Sequence, residues 1–215
     1  MSEYRILAVS PLSKKKYKIS LEGTEMVTLS LYPSELRKFN IKEGNFVSED
    51  IYREIEEILY KRGKERALYY LKTSDKTAFQ MKTKLKEGLY PEHIICRILD
   101  FLEKYKYIDD LRYAGQYISY NQRRKSYQQI RNDLRVKGIA KEYIDEAFLE
   151  INDSMMSESN PQVEIIRKYI QNKIKPDMDL KYKNKIVMGL VRKGFKYDDI
   201  LSVFREECNY AECDF

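Results

Sequence analysis

The chain repeats one pattern of apolar residues and glycine three times. In each copy, two apolar residues four positions apart precede a glycine, and further apolar residues follow that glycine one, six and ten positions later. The pattern predicts a helix that buries the four-apart pair, a glycine in the left-handed conformation that ends the helix, and a second helix directly afterwards. The copies are Met81, Leu85, Gly88, Leu89, Ile94 and Ile98; Ile130, Leu134, Gly138, Ile139, Ile144 and Phe148; and Ile186, Leu190, Gly194, Phe195, Ile200 and Phe204.

A further stretch with helical spacing precedes each copy, so we expect three helices in each repeat. Ser126 opens an S-x-x-Q capping box, which fixes the start of the middle helix of the second repeat independently. The first repeat is one residue shorter between its apolar pair and its glycine: the interval from Leu85 to Gly88 is shorter than the interval from Leu134 to Gly138 in the second repeat. The helix end in the first repeat must therefore differ locally.

The first fifty residues have a different pattern. Apolar and polar residues alternate over 17–21 and again over 27–31, with a turn between them, which is typical of a β-hairpin; residues 4–9 offer a third strand. Ser48 is a candidate N-cap for a long helix that Gly63 would bend or end.

Together these patterns predict a mainly α protein, an elongated and curved array of tandem three-helix repeats with a small N-terminal β-hairpin extension. No apolar run is long enough to span a membrane and no leader is evident, so we expect a cytoplasmic protein. We also expect it to be a monomer. The expected boundaries are 1–48 for the extension, 49–66 for a connecting helix, 67–108 and 109–153 for the first two repeats, 154–162 for a polar linker and 163–215 for the third repeat.

The inventory of reactive side chains argues against an enzyme, a metal site or a cofactor. His93 is the one histidine, and no nucleotide-binding loop or nucleophile motif occurs. The adjacent carboxylate pairs at 109–110 and 198–199 begin predicted helices, where capping is the simpler role. The three cysteines form no C-x-x-C pair, so neither a disulfide framework nor a zinc site is indicated. These cysteines are Cys96, Cys208 and Cys213.

Positive charge is concentrated in the second repeat. Between Arg112 and Lys137 there are seven basic residues and one acid, Asp133, an excess of six that equals the formal charge of the whole chain. Lys82 and Lys86 occupy the same positions in the first repeat as two of these residues, so both repeats present a basic ridge, defined here by nine residues. They are Lys82, Lys86, Arg112, Arg123, Arg124, Lys125, Arg131, Arg135 and Lys137.

Two interpretations of the basic ridge remain open. It is either a solvated surface balanced by acids on neighbouring helices, or a binding surface for a polyanion, which segregated positive charge attracts. Interleaved tyrosines are available to stack on bases, to anchor a protein interface or to pack between helices; they are Tyr113, Tyr117, Tyr120 and Tyr127. In the third repeat the equivalent positions are Val187 and Val191, so we expect that repeat to bury a face that the other two expose.

Several motifs occur in the order found in a known family. Residues 107–114, 123–126 and 130–139 resemble the central signature of the RecX family, the bacterial regulators of the RecA recombinase. Residues 84–88 and 190–197 resemble its first and last repeat motifs, and residues 1–66 resemble the extension of RecX proteins from low-GC Gram-positive bacteria. The chain departs from the family in its shortened first repeat and in Arg124-Lys125, where the family often has Arg-Gly.

The resemblance implies a non-enzymatic regulator that lies in the groove of the RecA filament on single-stranded DNA. Such proteins generally restrain ATP hydrolysis, strand exchange and repressor cleavage by RecA. The basic ridge would then contact RecA or the enclosed DNA. Two alternatives stay open: a stand-alone protein that binds single-stranded or duplex DNA without RecA, and a metal-dependent nuclease that uses Asp109 and Asp110, which we expect least.

Overall fold

A computed structural model describes residues 3–23, 25–154, 160–174 and 178–207. The chain divides into two compact units, Met1–Asp109 and Asp110–Phe215. Cys208, Cys213 and most of the expected linker at 154–162 lie outside the described residues. No helix among the residues described has the length and apolar character that crossing a membrane requires. The predicted fold class, mainly helical with a small N-terminal antiparallel sheet, is confirmed.

The first unit begins with an antiparallel sheet whose strand order is β3-β2-β1-β4. The predicted hairpin is present, with Ile19 opposite Leu29, and the third strand pairs Ile6 with Leu21. The last strand, which the sequence did not indicate, adds only three residues at the edge. The bounds are β1 Glu3–Ser13, β2 Lys16–Glu22, β3 Met26–Leu31, the short helix α1 Pro33–Lys38 and β4 Phe46–Ser48.

A long helix, α2 (Glu49–Thr73), packs its apolar stripe into the same core as the sheet. The Ser48 side chain caps it by accepting a hydrogen bond from the backbone N–H of Ile51. The expected break at Gly63 does not occur, and the connecting helix continues directly into the first helix of the first repeat. A Cβ at Gly63 would lie 2.5 Å from Cδ1 of Ile98, so a larger residue here would require the Ile98 side chain to shift.

The first repeat is completed by α3 (Ala78–Glu87) and α4 (Glu92–Lys104). The sequence placed its left-handed residue at Gly88, but Gly88 has a φ of −79° and Leu89 has a φ of 57°. That expectation was wrong, because the chain must turn four residues after Leu85, as it does in the other repeats. The N–H of Tyr90 then donates to the carbonyl of Leu85 at 3.3 Å.

The second unit holds the other two repeats, and their helix ends are equivalent. Gly138 and Gly194 have φ angles of 81° and 84°, as predicted. The residue after each glycine donates its N–H to the carbonyl of the second apolar residue of the pair, at 3.1 and 3.2 Å. The helices are α5 Asp110–Asn121, α6 Tyr127–Val136 and α7 Lys141–Ser154, followed by α8 Pro161–Gln171, α9 Leu180–Arg192 and α10 Tyr197–Glu207.

Candidate partner-binding surface

Helix α6 carries the centre of the basic ridge. The predicted capping box is present: the N–H of Gln129 donates to Ser126 Oγ, and the N–H of Ser126 donates to Gln129 Oε1, both at 3.1 Å. Ile130 and Leu134 are fully buried on the inner side of the helix. Burial of these two residues fixes the rotation of α6, so its basic residues lie on the sides and the outer face.

Arg131 and Arg135 lie one turn apart on α6 but have different surroundings. The Arg131 guanidinium forms an ion pair with Asp145 on α7 and lies over the Phe148 ring, 4.2 Å from its centroid. Arg135 is exposed and donates to the Asn132 side chain at 3.3 Å. Arg131 is thus partly neutralised within the chain, whereas Arg135 forms no ion pair with the described residues.

Tyrosines and lysines interleave between α5 and α6. The Tyr113 and Tyr117 rings stack with centroids 6.4 Å apart, and Lys137 Nζ lies 5.9 and 5.3 Å from them. Tyr117 donates its hydroxyl hydrogen to Asp133 at 2.9 Å, and Lys125 Nζ lies 2.7 Å from the same carboxylate. These tyrosines therefore position the cations of the ridge and also pack between the helices.

The contact between Lys125 and Asp133 shifts both side chains toward their charged forms. The hydrogen bond from Lys125 lowers the pKa of the Asp133 carboxyl below its usual range, and the Tyr117 hydroxyl adds to that effect. The hydrogen bonds to Asp133 and Tyr117 raise the pKa of Lys125 in turn. Both side chains are more than one third exposed, so the pair is close to solvent and contributes little net stability.

The remaining ridge residues of the second repeat lie at the two ends of α5. Arg124 follows the helix and lies over the Tyr120 ring, 4.9 Å from its centroid, while Tyr120 itself is 69% exposed. Arg112, in the first turn of α5, and Arg123, in the turn that leads to α6, are both exposed. Cations and an exposed aromatic ring therefore occupy the turn before α6.

In the first repeat, two ridge lysines converge on one carboxylate. Lys82 and Lys86 on α3 both form ion pairs with Glu92 at the start of α4, the second with Nζ 3.1 Å from Oε2. Hydrogen bonds from the two lysines lower the pKa of Glu92, and the Glu92 hydrogen bond raises the pKa of Lys82. Two positive charges share one negative charge, so this site keeps a net positive charge. That these lysines form one edge with the second repeat stays a prediction.

The third repeat uses the same positions differently. Val187, which corresponds to Arg131, is 3% exposed and belongs to the core of that repeat, and Val191 is half-buried. The expectation that this repeat buries the face is confirmed at Val187. The sequence indicates Lys193 only as one of several cations of the third repeat that lie away from the ridge positions. This lysine directly precedes the helix-ending glycine, and its Nζ lies 4.3 Å from the centroid of the Tyr169 ring. Its position next to a left-handed glycine was the available signal.

The residues that could take part in catalysis lie in ion pairs or in the first turns of helices. His93 contacts Glu56 and is half exposed, and Asp198 and Asp199 lie in the first turn of α10, where carboxylates complement the helix dipole. Asp110 lies in the first turn of α5, as predicted. Over the described parts of the chain, no three histidine, cysteine, aspartate or glutamate side chains group so as to hold a metal ion.

Comparisons with known proteins identify the three-helix repeats. Residues 64–102 match the model of the first three-helix domain of RecX, and residues 109–147 match the model of the second. The regulatory protein RecX of Clostridium acetobutylicum is 29% identical over 208 residues, which cover 96% of this chain and 97% of that protein. The regulatory protein RecX of Streptococcus pyogenes serotype M1 is 30% identical, covering 89% and 74% of the two chains.

Solved structures agree with the sequence relatives. A crystal structure of regulatory protein RecX aligns with a TM-score of 0.63 at 25% identity, covering 94% of this chain and 98% of that one. The crystal structure of RecX from Lactobacillus salivarius aligns with a TM-score of 0.58 at 26% identity, covering 69% and 96%. The likeness extends beyond the two matched domains to most of the chain.

Proposed function

Because this chain belongs to the RecX family of regulatory proteins, we propose that it binds the RecA filament on single-stranded DNA and restrains its ATP hydrolysis, strand exchange and coprotease activity. It acts without catalysis of its own, in the cytoplasm and as a monomer. The family name of its relatives supports regulation. The direction of that regulation and the contact surface are our proposals.

The main support for this contact surface is that the cations of α6 are weakly paired within the chain. Arg135 is exposed and bonds only to the neutral Asn132 among the described residues, while the carboxylate that pairs with Arg131 is itself 43% exposed. Exposed ion pairs are weak and exchange with solvent. A filament carboxylate or a DNA phosphate can therefore replace Asp145 as the partner of Arg131 with little net cost in free energy. The same incoming group can form an additional ion pair with Arg135.

The first repeat supports the same interpretation. Lys82 and Lys86 bond to different oxygens of Glu92, so two positive charges face a single negative charge and the site keeps an excess of one positive charge. Segregated charge of this kind accelerates association with an oppositely charged surface and makes the association sensitive to salt. We infer that Lys82, Lys86, Arg131 and Arg135 contact the filament and that Arg123 and Arg124 extend the contact.

The test is RecA-dependent ATP hydrolysis on single-stranded DNA, titrated with the protein. Inhibition well below one copy per RecA would indicate that the filament groove or end is blocked, whereas stoichiometric loss would indicate capture of free subunits. We expect the Arg131→Glu/Arg135→Glu variant to need about tenfold more protein for the same inhibition, corresponding to about 1.4 kcal/mol. Its helical circular dichroism should be unchanged.

A matched control comes from the third repeat. Lys181 and Lys185 are exposed, four residues apart on α9, and give the same change of charge when both are replaced by glutamate. That variant should inhibit like the unaltered protein. Arg135→Glu alone breaks only the Asn132 contact and separates loss of binding from loss of the Arg131–Asp145 pair. Full inhibition by the folded double variant would reject the contact surface.

The stand-alone alternative makes a different prediction. A protein that acts on DNA without RecA should bind naked DNA tightly, and its affinity should fall steeply with salt, because each neutralised phosphate releases bound counterions. Weak binding to naked DNA combined with strong inhibition of RecA favours the filament function. Tight naked-DNA binding without any effect on RecA would favour the alternative.

A further inference from the structure

A small notch lies at the junction of the second and third repeats, within the second unit. It encloses about 250 Å³. Three of its side chains carry positive charge, Arg124, Lys125 and Lys193, and no carboxylate is among the described residues that line it. Its other lining residues are Gln129, Ile165, Tyr169, Leu190 and Phe195.

Hydrogen bonds between the two repeats hold the backbones that carry these cations. Ser126 Oγ donates to the carbonyl of Lys193, and Gln162 Nε2, from a side chain 5% exposed on α8, donates to the carbonyl of Lys125 at 3.1 Å. Gly194, directly after Lys193, takes a φ of 84°. The backbone at Lys125 and Lys193 is therefore held in place, so little backbone freedom is lost when a ligand binds there.

The charges themselves are only partly compensated. Lys193 and Arg124 lie over the rings of Tyr169 and Tyr120, at 4.3 and 4.9 Å, and neither forms an ion pair with any residue that the structure describes. Lys125 pairs with Asp133, which does not line the notch. Apolar side chains also line the notch, and they strengthen charge interactions there because they lower the local dielectric.

We propose that this notch seats a phosphate group from the backbone of a single DNA strand, which deepens the proposed function and rests on it. The Arg124 guanidinium and the Lys125 ammonium group come from the turn before α6, and the Lys193 ammonium group comes from the end of α9. Cations from these two elements suit a tetrahedral phosphate, whose oxygens accept from several directions. A planar carboxylate offers only two oxygens. The exposed Tyr120 ring beside Arg124 provides a surface on which a neighbouring base can stack.

The experiment compares two lysines of the third repeat in the full chain. Lys193→Gln removes the notch charge, and Lys185→Gln removes an exposed charge on α9 outside the notch. Binding to a short dye-labelled oligothymidylate is measured by fluorescence anisotropy over a series of salt concentrations, without RecA. We expect Lys193→Gln to bind about three- to tenfold more weakly and to lower the salt slope by about 0.7, which corresponds to one phosphate contact. Lys185→Gln should match the unaltered chain.

The outcomes separate this proposal from the proposed function. Equal affinities and equal salt slopes for the two variants would overturn it, as would failure of the unaltered chain to bind the oligonucleotide at low ionic strength. If Lys193→Gln loses inhibition of RecA while its DNA binding is intact, the notch receives a protein carboxylate and the phosphate proposal is wrong. If Lys193→Gln shows the expected loss of DNA affinity but the unaltered chain has no effect on RecA, the phosphate site is supported and the filament function is wrong.

Discussion

The second and third repeats have the same local geometry but use their middle helices in opposite ways. On α6, Arg131 and Arg135 lie beside the buried stripe and reach outward or toward an acid on the next helix. On α9 the corresponding residues are Val187, inside the core, and the half-buried Val191. One repeat therefore exposes a charged side, and the other buries the same side in its own core.

The helix ends show what the two repeats share. Ser126 and Asp179 cap α6 and α9 through their side chains, and Gly138 and Gly194 end the two helices at nearly the same φ. Caps and left-handed residues define where each helix begins and ends, independently of what covers its sides. The ends of the helices and the character of their sides are therefore encoded by different residues and can change separately.

The largest expected effect on stability comes from exchanging the residues at the equivalent positions Arg131 and Val187. Val187→Arg places a charge in a site that is 3% exposed, and we expect a loss of about 3–5 kcal/mol in the free energy of unfolding. The reciprocal change, Arg131→Val, should alter stability by at most about 1 kcal/mol, because it removes a partly exposed ion pair and a cation–π contact. Urea denaturation followed by circular dichroism measures both. Similar losses of unfolding free energy for the two variants would contradict the conclusion that this side of the middle helix is buried in one repeat and exposed in the other.

An intermediate effect is expected at the contact between the repeats. Gly194→Ala forces a side chain onto a φ of 84° and brings its Cβ within 2.5 Å of Gln128 Cβ. Gly44 has almost the same φ, but nothing lies within 4 Å of an added Cβ, so Gly44→Ala isolates the backbone strain, about 1–2 kcal/mol. We expect Gly194→Ala to cost about 1–3 kcal/mol more than Gly44→Ala, because of overpacking.

Thermal unfolding of these two glycine variants provides the measurement. A shift in melting temperature that is clearly larger for Gly194→Ala would confirm that the junction between α6 and the end of α9 is tightly packed. Equal shifts would show that Gln128 moves aside, and the fixed placement of Lys193 would lose its support.

The smallest effect concerns the Lys125–Asp133 pair, which the third repeat lacks because Gly189 corresponds to Asp133. Asp133→Asn should lower the free energy of unfolding by less than about 1 kcal/mol near neutral pH. The depressed pKa of Asp133 means that its contribution is present above the unfolded pKa, about 3.9, and is lost as pH falls through the lower folded value. The raised pKa of Lys125 means that its contribution is present below about 10.4 and is lost as pH rises through the higher folded value.

Urea denaturation across pH tests that window. The difference between the unaltered chain and Asp133→Asn should stay constant over the neutral range and shrink at both extremes. A difference that persists in strong acid would mean that the side chain acts through something other than its charge.

Much of the fold could be predicted because its signals are local. The repeat of apolar residues, the capping box at Ser126 and the glycines at 138 and 194 each act within a few residues, and all lie where the sequence indicated. The end of α3 could not be assigned from glycine alone. Leu89 takes the left-handed conformation there, because the buried pair Met81 and Leu85 sets the turn and a non-glycine residue accepts the strain.

The sequence predicted which cations make up the candidate site but not which side chains pair with them. The cations of the ridge follow directly from the sequence, yet their partners, Glu92 for two lysines and Asp145 for Arg131, lie on the next helix of each repeat. Lys193 comes to line the same notch as Arg124 and Lys125 only through the packing of one repeat on another. Such contacts join residues that are distant in the chain, and periodicity carries no information about them.

The helices, their caps, their order and the excess of positive charge in the second repeat all follow from the amino-acid sequence, since each depends on neighbouring residues. Tertiary packing sets which cations are paired, which valine takes the place of an arginine in a core, and where Arg124, Lys125 and Lys193 meet. Burial and ion pairing depend on distances in space, and those distances exist only after the helices have packed.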